Sequence, residues 1–375
     1  MKTPAHKLRK RIFTLLIGLL SLCAVALPSS QAAPRHNHPP TGIVSIDLAP
    51  NAKPLGMTMN IGIQVKNIYD MNLADQSFLA EGWYWLNWGD DIQATLERLK
   101  IEPSQIVEFA NEIEPGQYSV IEPLPESIAT TSSKKYSFYA KFSGKFYINE
   151  VHQRFAPFDN QAAEIALEIK PSALTQSPDR VTLIPLPIKQ APIAGEFTEV
   201  NGYLLTDTTW QRHEVRYYEP LADQQGQSKS FSDYSRATAV FTYSPNPIAV
   251  VLKWLLPIMV VMGIVVAAPS IDGVLGDVRL AIPSAALLTL VVLQDAYKAN
   301  FPPAPYLTYL DEIYAYSYLA CFSIFLLFLF GTNAHSRALE EDRQAVTKKV
   351  DRIDLIVQVS TVAGFLLVAI IGWYT

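Results

Sequence analysis

Ionisable residues stand at both ends of an apolar segment between residues 278 and 297. Asp277 and Arg279 lie at its start, and Asp295 and Lys298 lie at its end. On a helix, one stripe along this segment contains Asp277, Ala281, Ala285 (or Ser284), Leu288, Val292 and Asp295. Ionisable groups at membrane depth are costly and usually face water or protein, so the stripe indicates a water-filled path for ions. The alternative is that these charges only mark where the helix leaves the bilayer.

One such helix cannot enclose a path by itself, whereas several copies arranged around an axis can. Leu288 would then form an apolar ring near the middle of the membrane, which blocks ions by excluding water. Asp277 would form an acidic ring at the cytoplasmic mouth, which favours inorganic cations over anions. The segment therefore predicts a pore whose gate and charge filter come from the same helix.

The segment with the stripe is the second of four apolar segments in the last third of the chain. The four cover about residues 247–268, 278–297, 309–330 and 355–374. A helix of ~20 residues crosses the ~30 Å hydrocarbon core of a bilayer. Lysine and arginine in the loop 331–354 place this loop in the cytoplasm. Four spans then return the C-terminus to the same side as the N-terminal domain.

Residues from about 43 to 246 show the alternation that is typical of β-strands. The clearest runs are 57–66, 138–148 and 237–243, where apolar and polar side chains alternate. A helical pattern is limited to a short stretch at Asp91–Leu99. About two hundred residues of strands with irregular loops predict an antiparallel sandwich rather than a parallel sheet. The predicted fold is an extracellular antiparallel β-sandwich (43–246) followed by a four-helix transmembrane bundle (247–375).

The first 32 residues have the features of a secretory signal peptide. A positive region comes first, at Lys7, Arg9, Lys10 and Arg11. The apolar stretch 12–27 and small residues before a cleavage site after Ala32 follow it. An uncleaved anchor is the less favoured alternative, because the stretch is short for a span of ~20 residues. Residues 33–42 are predicted to be a disordered tail. The signal peptide, together with the cysteines missing from the exported part, predicts a location in the bacterial inner membrane with the sandwich exported.

Composition and motifs exclude several other functions. The net charge is −5 and no basic stripe is present, so nucleic-acid binding is not expected. Of the two cysteines, Cys23 leaves with the signal peptide, and Cys321 alone cannot form an intrachain disulfide. The sequence has no nucleophile–base pairing, phosphate-cradling glycine loop or metal-ligand spacing. We therefore expect neither an enzyme nor a cofactor or metal.

Four segments of the chain share the pattern of one family of membrane receptors. They are 59–88, 108–111 (EFAN), 155–161 (FAPFDNQ) and 300–306 (NFPPAPY). In this order, with four apolar segments, they resemble the pentameric ligand-gated ion channels, which comprise the Cys-loop receptors and their bacterial relatives. The two cysteines that flank the loop at 155–161 in animal members are missing here, as in prokaryotic members.

The resemblance implies a homopentamer, in which four further copies of the chain complete a pore embedded in membrane lipids. Counting back from the linker 300–306 places Leu288 at the leucine gate of this family. The same count places Asp277 at the intracellular acidic position of its cation-selective members. Pro283 and the alanines Ala281 and Ala285 replace polar residues that are common in the lower pore.

The resemblance also assigns a ligand site between neighbouring subunits. By position, Trp83 belongs to one subunit's face, and Phe109, Tyr217 and Tyr234 belong to the opposing face. Aromatic faces suit a cationic ligand because they attract cations. The alternative for each ring is packing in the sandwich core. The segment 171–174 has no aromatic residue where many receptors carry one, so a small molecule and protons both remain candidate agonists.

Coupling of the sandwich to the pore is assigned by the same chain order. The loop from Asp70 to Gln76 and the loop containing Asp159 are expected to press on Pro302, Pro305 and Tyr306. A ligand would bias an existing equilibrium between closed and open states. The alternative function is a membrane-anchored periplasmic binding or scaffold protein without conduction. The charged ends and the stripe of the second segment argue against it, because a pure anchor does not need them.

Overall fold

A computed structural model describes most of the chain from residue 43 onward. It covers residues 43–49, 52–114, 120–123, 136–186, 193–195, 198–218, 231–271, 276–336 and 343–374. The predicted signal peptide and the predicted tail at 33–42 lie outside the described residues.

The N-terminal part of the described chain is built from two β-sheets. Its strands in chain order are β1 (Ile43–Leu48), β2 (Met57–Asn72), β3 (Ser77–Trp88), β4 (Val107–Phe109), β5 (Val120–Pro123), β6 (Tyr136–Tyr147), β7 (Gln161–Ile169), β8 (Val181–Pro185), β9 (Ile193–Ala194), β10 (Glu199–Val200), β11 (Tyr203–Tyr218) and β12 (Phe231–Pro245). A short helix, α1 (Asp90–Leu99), follows β3. The predicted β-rich domain is therefore confirmed.

The two sheets have different strand directions. One sheet has the order β1-β11-β12-β7-β4, with β10 beside β11, and its strands are antiparallel. The other has the order β5-β6-β3-β2-β8, with β9 beside β2. In this sheet β8 and β9 run parallel to β2, so the β-sandwich that the sequence predicts has one antiparallel sheet and one mixed sheet. Since β7 belongs to the first sheet, the chain reaches β8 by crossing between sheets rather than by a hairpin.

The sandwich core contains the inward-facing residues of the alternating runs. In β2, Met59, Ile61 and Ile63 are buried, as the period of two predicts. Phe142 and Phe241, from the other two predicted runs, are buried in the same apolar cluster. Removing this apolar surface from water stabilises the domain.

Within the described residues, four helices are long and apolar enough to cross a membrane. They are α2 (Pro247–Ser270), α3 (Gly276–Lys298), α4 (Tyr309–Ser336) and α5 (Arg343–Tyr374). Each predicted span lies inside one of these helices. The helix α5 begins well before residue 355, because helical hydrogen bonding continues beyond the apolar stretch into polar sequence.

Small residues let the helices approach one another closely. A Cβ atom at Gly364 of α5 would lie 2.1 Å from the hydroxyl oxygen of Tyr316 in α4. This hydroxyl donates to the carbonyl oxygen of Thr361 at 3.0 Å. Glycine at position 364 therefore permits the close contact between α4 and α5.

Candidate functional site

The predicted stripe lies on the exposed side of α3. Leu288 and Val292 are 69% and 61% exposed, respectively. The other four stripe residues, Asp277, Ala281, Ala285 and Asp295, are exposed as well. Ala286, Leu290 and Tyr297, on the other side, are buried in the apolar cluster between the long helices, which we call the helix core. Packing on one side and exposed apolar residues on the other mark a surface that contacts something other than this chain.

Polar contacts fix the C-terminal end of α3 against α4. Gln294 donates to Asp311 at 3.1 Å and accepts from the hydroxyl of Tyr318 at 2.8 Å. Lys298 forms an ion pair with Asp311 at 3.5 Å. These contacts set the rotation of α3 and thereby the direction of its stripe. The positive charge of Lys298 is therefore paired with Asp311 of α4.

The loop between β6 and β7, residues 148–160, rests on the helices through aromatic rings. The ring centroids of Phe155 and Phe158 lie 5.8 and 5.6 Å from that of Trp373, near the end of α5. Phe158 also contacts Tyr309 of α4 edge to face, at 6.2 Å. The sandwich and the helices therefore share one packed aromatic contact, which we call the aromatic junction.

Arg154 adds polar contacts beside the aromatic junction. Its Nη1 atom donates to the carbonyl oxygen of Leu307 at 2.7 Å and to Glu312 at 3.1 Å. Its own carbonyl oxygen accepts from the backbone N–H of Tyr309 at 2.9 Å. Both side chains of the Arg154–Glu312 pair are mostly buried, so salt screens this attraction less than that of an exposed pair. The loop is thereby joined to α4 and to the segment before it.

Asp159 and Tyr306, both predicted to couple the two parts, lie near each other. The carboxylate of Asp159 accepts a hydrogen bond from the backbone N–H of Phe155 at 2.7 Å, which shapes the loop. Burial raises the pKa of Asp159. Burial also raises the pKa of Tyr306, and the charge of Asp159 raises it further. The two side chains therefore share one electrostatic environment.

The remaining predicted coupling residues lie around the linker between α3 and α4 and at the end of β2. Pro302 is buried and Pro305 is exposed. Phe301, which precedes Pro302 in the chain, packs against both the sandwich core and the helix core. Asp70 is exposed in a left-handed conformation with φ of 51°, which Asp adopts more readily than most residues. Phe301 was not among the predicted residues.

Tyr217 and Tyr234 form an edge-to-face pair, with ring centroids 5.1 Å apart. The hydroxyl of Tyr217 donates to Glu168 Oε1 at 2.9 Å and accepts from Arg236 at 3.0 Å. Arg236 also donates through Nε to Glu168 Oε2 at 2.7 Å. We call these four residues the Glu168 cluster. The structure thus brings together two predicted ligand residues with two charged residues that were not predicted as site residues.

The electrostatics of the Glu168 cluster follow from its burial. Burial raises the pKa of Glu168, whereas the charge of Arg236 and the bonds from Tyr217 and Arg236 oppose this change. Burial, with the nearby charge of Glu168, raises the pKa of Tyr217 to about 12. The phenol is therefore protonated at neutral pH and can donate to the carboxylate. The cluster offers two ring faces beside an ion pair.

Phe109 lies in the sandwich core, which corrects its prediction as a ligand residue. It is only 7% exposed, and its ring centroid lies 5.1 Å from that of Phe142 and 5.6 Å from that of Tyr84. Alternation along β4 explains this, because Glu108 points outward between the inward-facing Val107 and Phe109. The ring of Phe109 is therefore packed in the sandwich core and does not face a ligand site at the surface.

Trp83 has a different environment. It is partly buried, and alternation along β3 places it on the outward side, since Gly82 and Tyr84 are both buried. Its cross-strand neighbours are Gln64 and Lys141. An outward ring beside polar neighbours keeps its predicted role in an inter-subunit site open to test.

Replacing Phe109 by alanine should destabilise the sandwich by about 3–5 kcal/mol, as the loss of a buried phenyl ring usually does. Thermal unfolding of the purified protein measures this, with Tyr147→Ala as the control because its ring is exposed. Phe109→Leu should retain most of the stability. An unchanged unfolding midpoint in Phe109→Ala would show that the ring is not part of the core.

Among the described residues, no group of three or more His, Cys, Asp or Glu side chains is placed to hold a metal ion.

Comparisons with protein-family models and with curated proteins identify no relative. No protein-family model matches the chain, and no curated protein shows significant similarity to it. Three features of the described residues bear on function: the stripe of α3, the aromatic junction and the Glu168 cluster.

Proposed function

We propose that this chain is one subunit of a homopentameric ligand-gated ion channel that selects cations. In this proposal the sandwich is exported from a bacterial cell, and the four helices cross its inner membrane. The observation that carries the proposal is α3, which is packed on one side and bears the exposed stripe on the other. Five such stripes around an axis would line a pore, with the Leu288 ring as gate.

The junction supports gating by the sandwich. Tyr297 of α3 lies 3.5 Å through its hydroxyl from the carbonyl oxygen of Ala156 and 3.2 Å from Thr308. Arg154 holds the same loop to Leu307 and Glu312. A movement of the loop 148–160 therefore acts on both ends of the linker between α3 and α4. A ligand that favours one loop position would shift the population of open pores.

The Glu168 cluster supports a ligand site near the tip of β11 and β12. Tyr217 and Tyr234 lie on the outward side of their sheet, next to residues 219–230 that join the two strands. Ring faces beside a buried carboxylate suit a small cationic molecule. Protons are the second candidate agonist, because the carboxylate of Glu168 is buried and protonation would weaken its pairing with Arg236.

The proposal is tested by ion flux through the purified protein in liposomes. Monovalent cation flux should rise when the external pH is stepped or a small amine is added, and a protein-free vesicle is the control. Native mass measurement of the same preparation should give five copies. A stable protein of any copy number that passes no ions under these stimuli would favour the anchored binding or scaffold protein.

A further inference from the structure

A buried ion pair joins the start of α3 to α5. Arg279 is 4% exposed and Asp354 is 3% exposed. Nη2 of Arg279 donates to Oδ2 of Asp354, and the guanidinium lies 4.3 Å from the ring centroid of Phe328 in α4. A charged group next to the proposed inner mouth is therefore enclosed by two other helices.

Asp277 stands on the opposite side of the same helical turn. Residues two apart on a helix differ by about 200° in direction, so Asp277 and Arg279 point to opposite sides. The burial of the two residues agrees, because Asp277 is exposed and Arg279 is buried. The negative charge is thus available to the stripe, whereas the positive charge is directed into the bundle.

The pair has few other polar contacts. Within the described part of the chain, Nε of Arg279 and Oδ1 of Asp354 are buried without a hydrogen-bond partner. The guanidinium therefore depends on Asp354 for the balance of its charge. A buried charge that loses its partner is strongly destabilising, so the freed guanidinium is expected to turn toward water. If the proposed function holds, the inner mouth of the pore holds such water at this end of α3.

We propose that Asp354 is a positioning residue for ion selectivity, which holds Arg279 away from the pore and neutralises its charge. Asp277 then sets the charge of the inner mouth alone. This inference rests on the proposed channel function and deepens it. It assigns a role in ion selectivity to Asp354 of α5, a helix that contributes no residue to the proposed pore lining.

The test is the reversal potential of Asp354→Asn in a salt gradient. An uncompensated positive charge within about 10 Å of the ion path should lower the cation-to-anion permeability ratio about tenfold. The double variant Arg279→Gln/Asp354→Asn should return to the parent's ratio, because it carries no free charge. Asp351→Asn is the matched control, since Asp351 is exposed on the same helix.

Asp354→Asn current with the parent's selectivity would overturn the inference and leave the channel function intact. If Asp354→Asn does not assemble, the double variant Arg279→Gln/Asp354→Asn decides the question, because it leaves no unpaired charge. The inference predicts that it keeps the parent's selectivity, whereas a marked rise in cation preference would show that Arg279 already contributes its charge to the pore. A parent without current would contradict the proposed function and this inference together.

Discussion

Serine in place of Leu288 is expected to open the channel without a ligand. Leu288 is 69% exposed in the single chain, so its replacement removes little packing within the subunit. In the closed pentamer, five leucines would meet and exclude water. A fully buried leucine contributes about 1.5–3 kcal/mol, so even partial burial in five copies sums to several kcal/mol. We expect ligand-free open probability to rise about a hundredfold, on population-shift arithmetic.

Single-channel or whole-cell current without added ligand measures this opening. Leu287→Ser is the matched control, because this neighbouring leucine is partly buried against the helix core and lies off the stripe. It should conduct only as the parent does. Leu288→Ser protein that assembles but shows no ligand-free current would remove Leu288 from the gate.

Alanine in place of Arg154 is expected to uncouple the sandwich from the pore. The guanidinium donates to both Leu307 and Glu312, at 2.7 and 3.1 Å. Hydrogen bonds that involve charged groups contribute about 1.5–3 kcal/mol each. Their loss should reduce current evoked by a pH step or a small amine more than about tenfold.

The Leu288→Ser background separates uncoupling from misfolding. Arg154→Ala in that background should keep its ligand-free current, because the pore is already open. Arg98→Ala, which breaks an ion pair with Asp179 on the sandwich surface, is the matched arginine control and should respond as the parent does. Asp159→Ala and Pro305→Ala should weaken the response in the same direction. Full responses in all three junction variants would contradict the coupling route.

Much of the fold follows from local sequence patterns. The period of two in 57–66 and the apolar stretches of the four spans each depend on residues that are neighbours along the chain. Such patterns report which side of an element is buried. They also placed the stripe of α3, since helical spacing alone groups Asp277 with Leu288. The parallel pairing of β8 with β2 could not be found this way, because it depends on how the chain crosses between sheets.

The errors and omissions at the site have a common physical origin. The motif at 108–111 predicts a ligand role for Phe109. A shift of one residue decides which side of a strand a ring occupies, however, and Glu108 takes the outward side. Glu168 meets Arg236, and Arg279 meets Asp354, from elements far apart in sequence. The only local signal for Glu168 is a charge in an otherwise apolar strand end. Its partner is visible only in the folded chain.

The central claim is tested most directly by reversal potentials of the parent and of Asp277→Ala in a salt gradient across a planar bilayer. The claim predicts gated current in the parent with a reversal potential near that of the cation. It predicts that Asp277→Ala still conducts and that its reversal potential moves toward zero. Gated current with the same selectivity in both proteins would contradict the charge filter at Asp277. A parent without current at any stimulus would contradict the channel itself.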